Sequence, residues 1–165
     1  MFSKILIANR GEIACRIMRT AKSMGIATVA VFSDADAGGP HVLAADEAVR
    51  IGGAASADSY LCGDRIIQAA LDTGAEAIHP GFGFLSENAD FVDAVEAAGL
   101  AFIGPGKRAI KVMGDKIESK ALAGGAGVSI VPGTAGAVSD VKAALKAATD
   151  IGFPVMVKAL SLIHI

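Results

Sequence analysis

Three places in this chain carry residues that could bind a ligand. The first is the loop NRG (9–11), directly after a β-strand predicted over Lys4–Ala8. Ligands of open α/β sheets bind at the carboxyl ends of the strands. A dinucleotide-binding loop would carry G-x-G-x-x-G here, and this loop has a single glycine. The sequence therefore argues against a nicotinamide-dependent oxidoreductase. The simplest alternative has Asn9 capping the next helix and Arg10 in solvent.

The second place is the loop AIHPGFGFLSENA (77–89), which also follows a predicted strand. Its candidate ligand-binding residues are His79, Gly81, Phe82, Gly83 and Glu87. The two glycines permit close backbone approach, which leaves amide donors available to a ligand. An aromatic residue between them suggests that something packs on its ring. The alternative is structural, with Ser86 as a helix N-cap and His79 as a buried, hydrogen-bonded histidine.

Two lysines form the third candidate site. Lys116 begins a predicted helix, and Lys158 ends the apolar run FPVMVK. A lysine at the end of a buried strand is costly unless it meets an anion, and phosphate is the obvious partner. A solvated ammonium group on a packed stem is the alternative.

Composition and charge narrow the function. The 165 residues are 53% hydrophobic but only 5% aromatic, and the formal charge is −2. This charge gives no basis for binding nucleic acid or an acidic membrane surface. No apolar run reaches the ~20 residues of a membrane span, and no signal peptide precedes the first strand, so we expect a cytoplasmic protein. The two cysteines lack metal-site spacing and predict free, buried or half-buried thiols.

The order of the elements predicts an α/β fold. Strand-like runs over Lys4–Ala8 and Ala27–Phe32, and then AVRI, AEAIH and LAFIG, alternate with helix-like stretches. Helices are predicted over about 64–73 and about 88–98 from their apolar periodicity. Five strands joined by helices predict a doubly wound, mostly parallel sheet.

The pattern changes near Met113–Asp115, where we place a domain boundary. Two further helices, over about 116–123 and about 139–150, flank the loop GGAGVSIVPGTAG. A strand is then predicted over Phe153–Lys158. This second part begins a sheet and has nothing to close it.

Five motifs resemble the biotin carboxylase family in order and spacing. They are ILIANRGEIACRI, SDAD…HVLAADEAVRIG, AIHPGFGFLSENA, FIGP and MGDK. The resemblance covers residues 2–159 and is greatest to the α subunits of acyl-CoA carboxylases. It implies that residues 1–113 form a Rossmann-like domain that precedes an ATP-grasp domain. It also implies that residues 114–159 are the truncated start of that ATP-grasp domain.

The resemblance also implies a chemistry. Biotin carboxylases are ligases that use ATP and Mg²⁺ to activate bicarbonate as carboxyphosphate, and the carboxyl group passes to a ureido nitrogen of biotin. The implied partners are a biotin carboxyl carrier domain, a carboxyltransferase subunit and a second copy of the chain in a homodimer. One alternative is the front end of pyruvate carboxylase or of another ATP-grasp ligase. The other is a non-catalytic, nucleotide-binding Rossmann-like module.

The resemblance assigns roles to the candidate residues. Lys116 and Lys158 match lysines that contact the nucleotide phosphates, and the loop from Gly81 to Gly83 matches the segment beside the biotin ring. Phe82 stands where many members have tyrosine, so a hydrogen bond worth about 0.5–1.5 kcal/mol is missing. The family's catalytic arginine, metal-binding glutamates and adenine pocket match nothing here, so we expect the chain alone to be inactive.

The last six residues, LSLIHI (160–165), depart from the family, which has small residues and glycines there. The same six residues are the translation of a common transposon-end sequencing adaptor. We therefore expect this segment to be adaptor read-through and assign His164 no function.

Overall fold

The computed structural model describes residues 1–114, 116–134, 136 and 138–157, and for Lys116 it describes the backbone alone. The chain divides into two compact units, Met1–Lys111 and Val112–Ile165.

The first unit is built on five parallel strands. They are β1 Lys4–Ile7, β2 Ala27–Ser33, β3 Glu47–Gly52, β4 Ala77–His79 and β5 Ala101–Phe102. Their order across the sheet is β3-β2-β1-β4-β5. The chain moves from the centre to one edge and then returns to the other side of β1. The order therefore reverses between β1 and β4, which is the switch point where such sheets bind ligands.

Helices cover both faces of this sheet, as the predicted doubly wound fold requires. They are α1 Gly11–Ser23, α2 Pro40–Ala44, α3 Gly63–Thr73 and α4 Ala89–Ala97. A further helix, α5 Lys107–Gly114, follows β5. Successive side chains of β1 point to opposite faces. Leu6 packs in a core with Ile66 of α3 and Phe91 of α4. Ile7 packs in a second core with Met18 of α1. The α/β prediction is confirmed.

The second unit contains α6 Lys116–Gly125 and α7 Val141–Ile151. Asp140 caps α7, since its Oδ1 accepts from the Ala143 N–H at 2.8 Å. The strand predicted over 153–158 is not formed at 153–157, which is irregular, and Lys158 lies outside the described residues. A strand needs a neighbour for its backbone N–H and C=O groups, and the described part of this unit provides none.

Two smaller expectations concern cysteines and membranes. Cys15 and Cys62 are free and half-buried, as the sequence predicts. Among the described helices, none has the length and apolar character needed to cross a membrane.

Candidate functional site

The site lies where β1 and β4 end side by side. Ile7 pairs with His79 in the sheet, and the Ala8 N–H donates to the His79 carbonyl at 2.9 Å. This pairing brings the first two loops singled out in the sequence, 9–11 and 77–89, to the same switch point. The carboxyl-end rule therefore placed both loops correctly.

Asn9 joins these loops. Its side chain is 3% exposed, and its Nδ2 donates to the carbonyls of Pro80 at 2.8 Å and Phe82 at 2.9 Å. Its Oδ1 accepts from the Arg10 N–H at 2.9 Å. The N-cap of α1 is Arg10, whose side chain makes no capping hydrogen bond. The alternative in which Asn9 merely caps that helix is therefore wrong.

The loop holds an unusual backbone conformation that presents an aromatic ring. Gly81 and Gly83 have φ values of 67° and 70°, and Phe84 has a φ of 43°, which L residues rarely adopt. The Phe82 side chain between the glycines is 68% exposed. The N–H groups of Phe82 and Gly83 donate to no residue in the described part of the chain. An exposed ring and two free amide donors therefore stand together at the switch point.

His79 holds this loop through a hydrogen bond to its backbone. The imidazole is half-buried, and its Nδ1 accepts from the Gly81 N–H at 3.0 Å. Burial lowers the pKa of His79, so the ring is neutral near pH 7 and Nδ1 carries a free lone pair. His79 thus takes the hydrogen-bonded structural role that was one of its two interpretations. It fills that role within the candidate loop itself.

Glu87 and Ser86 lie at the far end of the loop. Glu87 is exposed, and no hydrogen bond or ion pair joins it to another described residue. Ser86 does not cap α4. The cap is Asn88, whose Oδ1 accepts from the N–H groups of Asp90 at 3.0 Å and Phe91 at 2.9 Å. The Ser86 alternative is therefore wrong by two positions.

Arg10 is exposed to solvent, with its side chain 49% accessible, but it is also ion-paired, and sequence reasoning missed its partner. Its Nε lies 2.7 Å from Asp36 Oδ2, and its Nη2 lies 2.5 Å from Asp36 Oδ1. Asp36 also accepts from the Tyr60 hydroxyl at 2.7 Å and from Ser33 Oγ at 3.0 Å. The hydrogen bonds from Arg10 hold the pKa of Asp36 well below its ordinary value, while Asp36 raises the pKa of Arg10.

This network reaches the candidate loop through a ring stack. The rings of Tyr60 and Phe84 are stacked, with their centroids 5.0 Å apart and an angle of 15° between their planes. A signal for Asp36 was present in the sequence, because SDAD follows β2 and β2 lies beside β1. The carboxyl-end rule, applied to β2 as well, places Asp36 next to Arg10.

The two lysines are only partly located. Lys116 is the first residue of α6, but its side chain and all of Lys158 lie outside the described residues. Within the described residues, no group of three or more His, Cys, Asp or Glu side chains is arranged to hold a metal ion. A groove of about 660 Å³ runs between β3 and α3, but no residue of the loop 77–89 lines it.

Comparison with known proteins identifies the family. A family model described as the N-terminal domain of biotin carboxylase matches residues 1–110. The chain belongs to the biotin carboxylase family. A second model, described as the ATP binding domain of the carbamoyl-phosphate synthase L chain, matches residues 115–162.

Three similar proteins illustrate the relationship. The mitochondrial propionyl-CoA carboxylase alpha chain of Caenorhabditis elegans is 58% identical over 158 residues, which are 96% of this chain and 22% of that protein. The mitochondrial methylcrotonoyl-CoA carboxylase subunit alpha of Oryza sativa is 58% identical over 155 residues, 94% of this chain and 21% of that protein. The chain therefore spans about a fifth of the curated relatives it matches.

The third similar protein is a solved structure, the biotin carboxylase domain dimer of Hydrogenobacter thermophilus 2-oxoglutarate carboxylase, in complex with MgADP, ADP and bicarbonate. It is 49% identical with a TM-score of 0.84, and the match covers 93% of this chain and 34% of that one.

Proposed function

We propose that the protein to which this chain belongs carboxylates biotin on a carrier domain within an acyl-CoA carboxylase, using ATP and bicarbonate. The observation that carries the proposal is the loop at the switch point. Its exposed Phe82 ring and the free N–H groups of Phe82 and Gly83 suit the ureido bicycle of biotin. The ring offers an apolar contact, and the amides are donors for the ureido oxygen.

The proposed reaction has two transfers. A bicarbonate oxygen displaces ADP from the γ-phosphorus of ATP, which gives carboxyphosphate. The bond from the carboxyl carbon to the phosphate oxygen then breaks as the ureido nitrogen bonds to that carbon. The departing phosphate accepts the proton that the ureido nitrogen loses. In this scheme Phe82 and Gly83 orient biotin, and His79 keeps the loop in place as a neutral acceptor.

ATP and Mg²⁺ are the nucleotide and metal that we propose. The matched ATP binding domain and the MgADP of the 2-oxoglutarate carboxylase structure support them. Lys116 and Lys158 are proposed to contact the phosphates, where two ammonium groups offset negative charge. We expect the metal ligands and the catalytic arginine in the part of the protein that follows this chain.

The acceptor and the partners are also proposals. The chain is 58% identical to propionyl-CoA and methylcrotonoyl-CoA carboxylase subunits and 49% identical to the 2-oxoglutarate enzyme, which favours an acyl-CoA over a keto acid. The expected partners are a carrier domain, a carboxyltransferase and a second copy, since the 2-oxoglutarate enzyme's domain is a dimer. The cytoplasmic location stays a proposal, because the propionyl-CoA relative is mitochondrial by name.

Paired variants of the full-length protein, cloned from its source DNA, test the two sites against each other. Phe82→Ala should raise the KM for free biotin on the order of tenfold, equivalent to about 1.4 kcal/mol, and leave the KM for ATP unchanged. Lys116→Ala should raise the KM for ATP and leave the KM for biotin unchanged, because it removes a cation proposed to face phosphate. The measurement is bicarbonate-dependent ADP release with biotin and ATP varied in turn. The proposal would be overturned if biotin did not stimulate ADP release, or if Phe82→Ala changed the KM for ATP and not the KM for biotin.

A further inference from the structure

Asn9 uses both N–H bonds of its amide on one loop. The acceptors are the Pro80 and Phe82 carbonyls, one on each side of Gly81, at 2.8 and 2.9 Å. The side chain is 3% exposed, so water cannot readily replace these bonds. A buried amide with both donors satisfied fixes the two carbonyls that it binds. The bonds therefore determine how the peptide groups around Gly81 are turned.

The absence of a side chain at Gly81 leaves room for the Asn9 amide. A Cβ atom at position 81 would lie 2.7 Å from Asn9 Nδ2 and 3.1 Å from Asn9 Cγ. The φ of 67° is also one that favours glycine. The space that a side chain at position 81 would take is thus filled by the Asn9 amide. The close approach allows a single short side chain to reach both carbonyls.

The Asn9 contact has a consequence on the opposite side of the loop. In a planar trans peptide, the C=O of one residue and the N–H of the next point in opposite directions. The Phe82–Gly83 peptide is trans. Because Asn9 draws the Phe82 carbonyl inward, the Gly83 N–H must point outward, and no described residue accepts from it.

We propose that Asn9 is a positioning residue for biotin. It holds the Phe82–Gly83 peptide so that the Gly83 N–H faces the ureido oxygen before the ligand arrives. This inference rests on the proposed function, in which the loop binds biotin. Asn9 itself touches no substrate in this arrangement. A preorganised donor improves binding because the loop does not have to be ordered when the ligand binds.

Two variants of the full-length protein test this role. Asn9→Ala removes both donors, and Asn9→Asp keeps the side-chain volume but sets carboxylate oxygens against two carbonyl oxygens. Each should raise the KM for free biotin on the order of tenfold, since two hydrogen bonds are lost. The KM for ATP should not change. Asn9→Asp serves if Asn9→Ala lowers the yield of folded protein.

Thr28→Val is the matched control. Thr28 is fully buried near the amino end of β2, and its Oγ1 donates to Asp46 Oδ2 at 2.7 Å. This variant should lower the thermal midpoint without changing the KM for biotin. A general loss of stability therefore cannot imitate the expected result for Asn9.

Phe82→Ala separates failure of the inference from failure of the proposed function. If Phe82→Ala leaves the KM for biotin unchanged, the loop is not the biotin site and the positioning role falls with it. The proposed function itself fails if the unmodified full-length protein shows no biotin-stimulated ADP release. If Phe82→Ala raises that KM but both Asn9 variants leave it unchanged, the positioning role alone is overturned. An equal rise in the KM for ATP and for biotin in the Asn9 variants also overturns it.

Discussion

At the scale of single residues, burial of two imidazoles couples protonation to folding. His41 is 1% exposed, and neither of its ring nitrogens has a hydrogen-bond partner among the described residues. Burial lowers the pKa of His41 from its ordinary value of 6.5, although the nearby Asp36 carboxylate favours the charged form. Burial lowers the pKa of His79 in the same way. As the pH falls through about 6.5, the unfolded chain therefore binds more protons than the folded chain.

We therefore predict that the free energy of unfolding is fully retained above about pH 6.5 and falls as the pH drops toward the folded-state pKa values. His41→Leu should reduce this loss and leave the part due to His79. Asp36 contributes in a lower pH range. Because its pKa is lowered in the folded state, its contribution to the free energy of unfolding is present above its ordinary pKa of 3.8 and is lost as the pH falls below that value. Urea unfolding followed by circular dichroism at about pH 7.5 and about pH 5.5 measures the difference. The prediction would be contradicted if the free energy of unfolding depended on pH identically in the unmodified protein and in His41→Leu.

At the scale of elements, α4 connects the candidate loop to the core. It buries Phe91 and Val95, and its first turn is held by the Asn88 cap. Asn88→Ala should lower the free energy of unfolding by about 1 kcal/mol, because two N–H groups lose their acceptor. Ser86→Ala is the control, since Ser86 caps nothing, and it should change that free energy by less than about 0.5 kcal/mol. Equal effects of the two substitutions in urea unfolding would show that the cap is assigned incorrectly.

The elements also show what local sequence could and could not predict. The five strands and the helices α3 and α4 follow from the apolar pattern, and the loops at the carboxyl ends of β1 and β4 follow from the parallel topology. The helix α5 was not predicted. Pairings between distant residues did not follow. Asp36 and Tyr60 are far apart in sequence and meet only because the sheet sets β2 beside β3. The strand predicted at 153–157 failed for a related reason, since its apolar pattern is correct but no described strand lies beside it.

At the scale of the whole molecule, the two units differ in how much they bury. Both hydrophobic cores lie between Ile5 and Leu100. No described residue of the second unit is buried, and its exposed apolar side chains include Val131, Met156 and Val157. Burial of apolar surface is the main source of folding stability. The first unit should therefore hold almost all the stability of this chain.

Limited trypsin digestion of the 165-residue chain should show this difference directly. Proteolysis requires local opening, and a unit without a core opens at little cost. Cleavage should come first in the second unit, where Lys142 and Lys146 are exposed, and should leave a resistant fragment that begins at Met1 and ends near Lys111. Arg16 and Arg19 serve as internal controls. They belong to α1, which packs against the sheet, so trypsin should cleave after them only when the whole first unit unfolds. Mass spectrometry over time reads out the order of cleavage. Loss of both units at one rate would mean that they fold as a single cooperative structure.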